Sequence, residues 1–168
     1  MKRVITKIGD IFSAKVDDHT KKFFQLIAFD LTQLNSDVVR AFKSSYPIDE
    51  NPNFSVIVND DVQFYAHCAA SVGVKLGYWE KVGNCQDLGE IEHIRFRTTP
   101  DYGTMPGQEP VLVSSNWYVW HINDLDFTHV GRLEGKNRDA HIGLVMSPVG
   151  IIELLKGRRF PPRYPTFE

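Results

Sequence analysis

The amino-acid sequence predicts a single mainly β domain of the α+β class: a strongly bent antiparallel sheet with one C-terminal helix packed on it. Three observations carry this. Apolar and polar residues alternate with a period of two in several short segments, each bounded by turn formers. Only one segment, around residues 147–157, carries a full set of helix start and stop signals. Aromatic residues reach 12% within a 42% hydrophobic composition, as strand-rich cores require. The 168 residues fit one domain, 1–168, long enough to bury a core without disulfide or metal staples.

The first element is a hairpin. Residues 9–16 alternate, with Ile8, Phe12, Ala14 and Val16 on one face, and the polar tetrad Asp17-Asp18-His19-Thr20 makes the turn. Residues 22–29 are apolar on both faces, which predicts a central strand. Residues 38–42 suit a strand better than a helix capped by Ser36, because Val38 and Val39 are β-branched. Residues 44–61 are an excursion rich in turn formers, in which Pro52 suits the start of a short helix.

Residues 62–68 alternate cleanly, with Val62, Phe64, Ala66 and Cys68 predicted inward and Gln63, Tyr65 and His67 outward. In residues 72–82, Gly73 and Gly77 disfavour a helix by about 1 kcal/mol each, so a strand is expected there. Residues 91–97 form a further strand with Ile94 and Phe96 inward, and residues 98–110, with three prolines and two glycines, form a long loop. Residues 111–122, 127–133 and 140–146 then read as a three-strand meander. Ser147 as N-cap, Pro148 in the first turn and Gly157 as stop define the helix, and the arginine- and proline-rich tail ends extended.

Composition narrows the function. A formal net charge of −2 and a pI near 6.3 argue against nucleic acid as a partner, since phosphate binding needs a positive field. No run of about 18 uncharged apolar residues predicts a membrane span, and the basic start meets Lys7 and Asp10 before any signal-peptide core, so a cytoplasmic protein is expected. Cys68 and Cys85 are expected to be free thiols.

No catalytic, cofactor or metal site is predicted. Cys68, Cys85, His67 and His93 lack the paired spacings of a zinc site, and Gly131 to Asn137 lacks the ending of a phosphate loop. His121, Asp124, Asp126 and His129 flank one turn and have the residue types of an acid–base pair, although turn chemistry alone accounts for both aspartates. The candidates for a partner surface are the acidic loop residues Asp60, Asp61, Asp124 and Asp126, which would steer a basic partner if grouped in space. Trp117 and Trp120 are added as interface anchors, the alternative being a strand buried on both faces.

Lys7-Ile8-Gly9-Asp10-Ile11-Phe12, Phe23-Phe24-Gln25 and Asp30-Leu31-Thr32-Gln33-Leu34-Asn35-Ser36, followed by Tyr46-Pro47-Ile48, Phe64-Tyr65-Ala66-His67 and Trp79-Glu80-Lys81-Val82-Gly83, cover about the first half of the chain. They resemble the bacterial family called immunity protein twenty-six, of polymorphic toxin systems. The resemblance implies a non-enzymatic cytoplasmic protein that binds and neutralises a cognate toxin, and it brings no site residues with it. The Gly9-Asp10-Ile11-Phe12 start also resembles the first strand of SH3-like barrels, including ribonuclease toxins of the PemK type. That likeness implies a partly open SH3-like barrel and, as an alternative function, RNA cleavage. A small-molecule binder closed by the 98–110 loop is the remaining alternative.

Overall fold

The computed structural model describes residues 3–103 and 105–168. The opening hairpin forms as expected from β1 (Asp10–Lys15) and β2 (Thr20–Asp30), with Phe12 opposite Phe24. Its turn is held by Asp17, whose carboxylate accepts from the backbone of His19 and Thr20 and from the Thr20 hydroxyl.

β2 is central, with β1 on one side and β3 (Ser36–Phe42) on the other, while β4 (Tyr46–Pro47) pairs with its first residues. Beyond β3 lies β5 (Val62–Cys68), and beyond β1 lies β6 (Glu80–Asn84). Register shifts in β1, β2 and β3 bend this sheet. A second sheet contains β7 (Arg95–Thr98), β8 (Trp117–His121) and β9 (Thr128–Gly131) in antiparallel order.

The expected meander is displaced by one strand. Residues 140–146 do not pair with β9. They split into β10 (His141–Ile142), parallel to β7, and β11 (Val145–Met146), parallel to β5, so both sheets are mixed. Periodicity gives strands but not partners.

The described residues also form three short α-helices, α1 (Phe54–Val58), α2 (Ala70–Lys75) and α3 (Pro148–Leu155), the last capped by Ser147 as the sequence predicts. None is long and apolar enough to cross a membrane. α2 replaces the front of the strand expected over residues 72–82. Gly73, which argued against a helix, is there because Trp79 lies on it: a Cβ at Gly73 would stand 1.9 Å from Trp79 Cζ2. Close packing outweighs a propensity cost of about 1 kcal/mol.

On one face of the first sheet, Phe12, Phe24, Leu26, Ala66 and Cys68 pack with Trp79 and with Ile151 and Leu155 of α3. On the other, Ile27 and Val38 meet Phe96 and Trp120 of the second sheet and Ile94 just before it. β5 is therefore covered on both faces at its end, and His67, predicted to face solvent, is completely buried against Phe96 at 4.1 Å between ring centroids.

Candidate functional site

At the end of β2, Asp30 is wholly buried and joins the two sheets. Its Oδ2 accepts from His67 Nε2 at 2.8 Å and from Trp120 Nε1 at 2.9 Å. Its Oδ1 accepts from the backbone N–H groups of Asn123 at 3.0 Å and Thr32 at 3.1 Å. Burial by itself raises a carboxyl pKa, but the bonds from His67, Asn123 and Trp120 outweigh it and hold Asp30 down at about 2. Because Nε2 faces the carboxylate, it is the donor of that bond, and the buried Nδ1 has no partner among the described residues.

Asp30 fixes two turns side by side: the 3₁₀ turn Leu31–Gln33 after β2 and the β8–β9 turn at residues 122–127. Asn123 Oδ1 accepts from Leu31 N at 2.8 Å, and the Thr32 hydroxyl donates to the Asp124 carbonyl. These turns present Leu31, Leu34 and Leu125 to solvent at 72%, 83% and 106% exposure, with Asp124 and Asp126 exposed beside them. Leucines this open on fixed backbone have no role in the core.

The backbone here is also strained. Leu34, Asn35 and Asn123 have φ of 58°, 51° and 64°, and they are the non-glycine residues in the left-handed region among the described residues. Each costs on the order of 1 kcal/mol, and such strain collects where function requires a particular shape. Next to the turns is an open cleft of about 850 Å³, walled by Ile8, Ile27, Phe29, Leu88, Ile91 and Ile122 and rimmed by Glu92, His121 and Asp124.

The residues singled out from sequence are distributed differently from expectation. Trp117 and Trp120 are 0% and 1% exposed, so neither is a surface anchor. Each is buried, with its indole N–H satisfied by Ser114 O and Asp30 Oδ2 respectively. Asp60 and Asp61 lie at the opposite end of the sheet from Asp124 and Asp126: Asp60 accepts from Ser44 N just past β3, and Asp61 stands 3.7 Å from Lys43 Nζ. The four aspartates do not form one acidic patch.

Of the possible acid–base group, only His121 and Asp124 stay together, with Nδ1 3.6 Å from Oδ2. Asp124 accepts from the backbone N of His121 at 2.8 Å and Asp126 from that of Phe127 at 2.8 Å, as turn residues do, while His129 turns to Asn116 and the ring of Tyr118. Among the described residues no group of three or more His, Cys, Asp or Glu side chains is placed to hold a metal ion.

Leu31, Leu34 and Leu125 were not singled out from sequence. Their signal is an apolar residue inside a run that is otherwise made of turn formers, as in Asn123-Asp124-Leu125-Asp126. Compared with known protein families, curated proteins and solved structures, the chain matches none of them.

Proposed function

We propose that the protein is a cytoplasmic immunity protein that binds a cognate bacterial toxin and neutralises it by occlusion. The observation that carries this reading is the group of three exposed leucines on two hydrogen-bonded turns, flanked by Asp124 and Asp126. Its occupant is a toxin surface with an apolar centre and basic rim. An apolar centre gives affinity, and the acidic flank gives steering and selectivity. The likeness of the first half of the chain to immunity protein twenty-six supplies the biological setting. Within this reading the bent first sheet is a partly open SH3-like barrel whose curvature brings the β2–β3 and β8–β9 turns together.

The test is co-expression with the toxin encoded immediately upstream. The wild-type chain is expected to co-purify with it and rescue growth. Leu125→Asp is expected to weaken binding by at least about 10-fold, the effect of losing an interface anchor, while leaving the thermal midpoint unchanged. Failure of the wild type to rescue, or full binding by Leu125→Asp, would overturn the assignment.

A further inference from the structure

A second cleft, distinct from the exposed leucines, lies on the other side of His121. It measures about 430 Å³ and is lined by Tyr65, Ile94, Arg95, His121, Lys136 and His141, with His93 and Asp139 at its mouth. The volume suits a small organic molecule and exceeds what a bare ion needs.

Its polar groups converge from both sheets. Arg95 and His121 are direct cross-strand partners on β7 and β8, so their side chains leave the same face of the sheet. The Arg95 guanidinium is fixed by donating through Nη1 to the Lys136 carbonyl at 3.0 Å, which leaves its other N–H groups free and holds the Lys136 segment at the cleft. Among the described residues, neither Arg95 nor Lys136 is ion-paired. Arg95 and Lys136 therefore share the cleft lining with one carboxylate, Asp139, while a second, Asp124, stands 3.6 Å from His121 Nδ1 and leaves Nε2 as the imidazole nitrogen for a ligand.

The floor is aromatic. Tyr65 of β5 meets the His141 imidazole edge-on at 5.1 Å between centroids. Burial and the nearby Arg97 guanidinium push His141 down to about 4, so its ring is neutral at pH 7 and serves as a hydrogen-bonding wall, not as a third positive charge.

The geometry points to a binding site for a small organic phosphate, its phosphoryl oxygens held by Arg95 and Lys136 with imidazole N–H groups, and its organic part against Tyr65 and Ile94. A planar guanidinium, an ammonium and imidazoles together supply more donors than a single carboxylate requires, and they match the three oxygens of a phosphate monoester. This inference stands independently of the toxin-binding reading, because it uses a different cleft and a different ligand.

The experiment is titration of the wild-type protein with ribose 5-phosphate, inorganic phosphate and succinate, followed by calorimetry and by the imidazole NMR signals of His93, His121 and His141. Ribose 5-phosphate is expected to bind and to shift these signals, more tightly than the other two. Lys136→Gln, at an exposed position, and Arg95→Gln are each expected to weaken it by about 10-fold, the contribution of one charge-assisted contact. Lys136→Gln keeps the test decisive if Arg95→Gln unfolds. No binding by ribose 5-phosphate, equal or tighter binding by succinate or by inorganic phosphate, or binding unchanged in Lys136→Gln would each overturn the proposal.

Discussion

Replacing Asp30 with Asn removes the charge at the junction of the two sheets with almost no change in volume. The Asn oxygen can still accept from Asn123 N and Thr32 N, but its amide nitrogen then faces the N–H groups of His67 and Trp120, which are donors themselves. Two bonds to a carboxylate are lost and two buried donors are left without an acceptor, at about 1.5–3 kcal/mol each, so the expected destabilisation is about 3–6 kcal/mol. With a urea slope of about 2 kcal/mol per molar, the unfolding midpoint falls by about 2 M. Trp120→Phe removes only one donor and keeps the charge, and it should fall between wild type and Asp30→Asn.

The acid limb gives an independent check. The Asp30 carboxyl is held at about 2 in the fold against an ordinary value of 3.8, so the unfolded chain takes up this proton first as pH falls. The stabilisation, about 2 kcal/mol, is complete above pH ~4 and is lost on the way down to pH ~2, and Asp30→Asn should lack that part of the acid limb. Urea unfolding across this pH range measures both effects. A midpoint drop smaller than about 0.5 M, or an unchanged acid limb, would refute a role for Asp30 as the junction.

Leu34→Gly relieves the left-handed strain at an exposed site and is expected to leave stability unchanged or raise it by up to about 1 kcal/mol while weakening the partner binding proposed for this surface, measured by chemical unfolding and calorimetry. Gly143→Ala places a Cβ 2.1 Å from Trp120 Cη2 and 3.1 Å from the Arg97 carbonyl, so a loss of about 1–3 kcal/mol is expected from thermal unfolding. Burial pushes the Cys68 thiol far above its usual range, whereas Cys85 is only half-buried. A thiol reagent under native conditions should label Cys85 first and reach Cys68 only on unfolding.

Where local pattern and packing agree, the sequence is readable. The opening hairpin, the central position of β2 and the capped α3 follow from alternation, a two-faced apolar run and Ser147-Pro148. Elements decided by distant contacts are not readable in this way. α2 depends on Trp79 covering Gly73, and the division of residues 140–146 between two sheets depends on which edges are open. His67 alternates like an exposed residue because nothing near it in sequence announces Asp30, thirty-seven residues away.

The candidate site was half legible. Asp124 and Asp126 are exposed, as expected of acidic loop residues, and Leu125 lies between them, but Leu31 and Leu34 come from a turn about ninety residues earlier, brought alongside by Asp30 and Asn123. Trp117 and Trp120 carry the composition of an interface and the burial of a core. Sequence alone cannot separate these two uses of an aromatic.

The strap at residues 141–146 has a consequence for synthesis on the ribosome. Its two dipeptides complete the edge of one sheet and then of the other, and α3, directly after it, closes the core over Phe24 and Leu26. A nascent chain that has emerged only as far as β9 has both sheets unfinished and an apolar face uncovered. Cooperative folding therefore waits for residues 141–155 to leave the exit tunnel, and the elongating chain is exposed to chaperones and proteases until then.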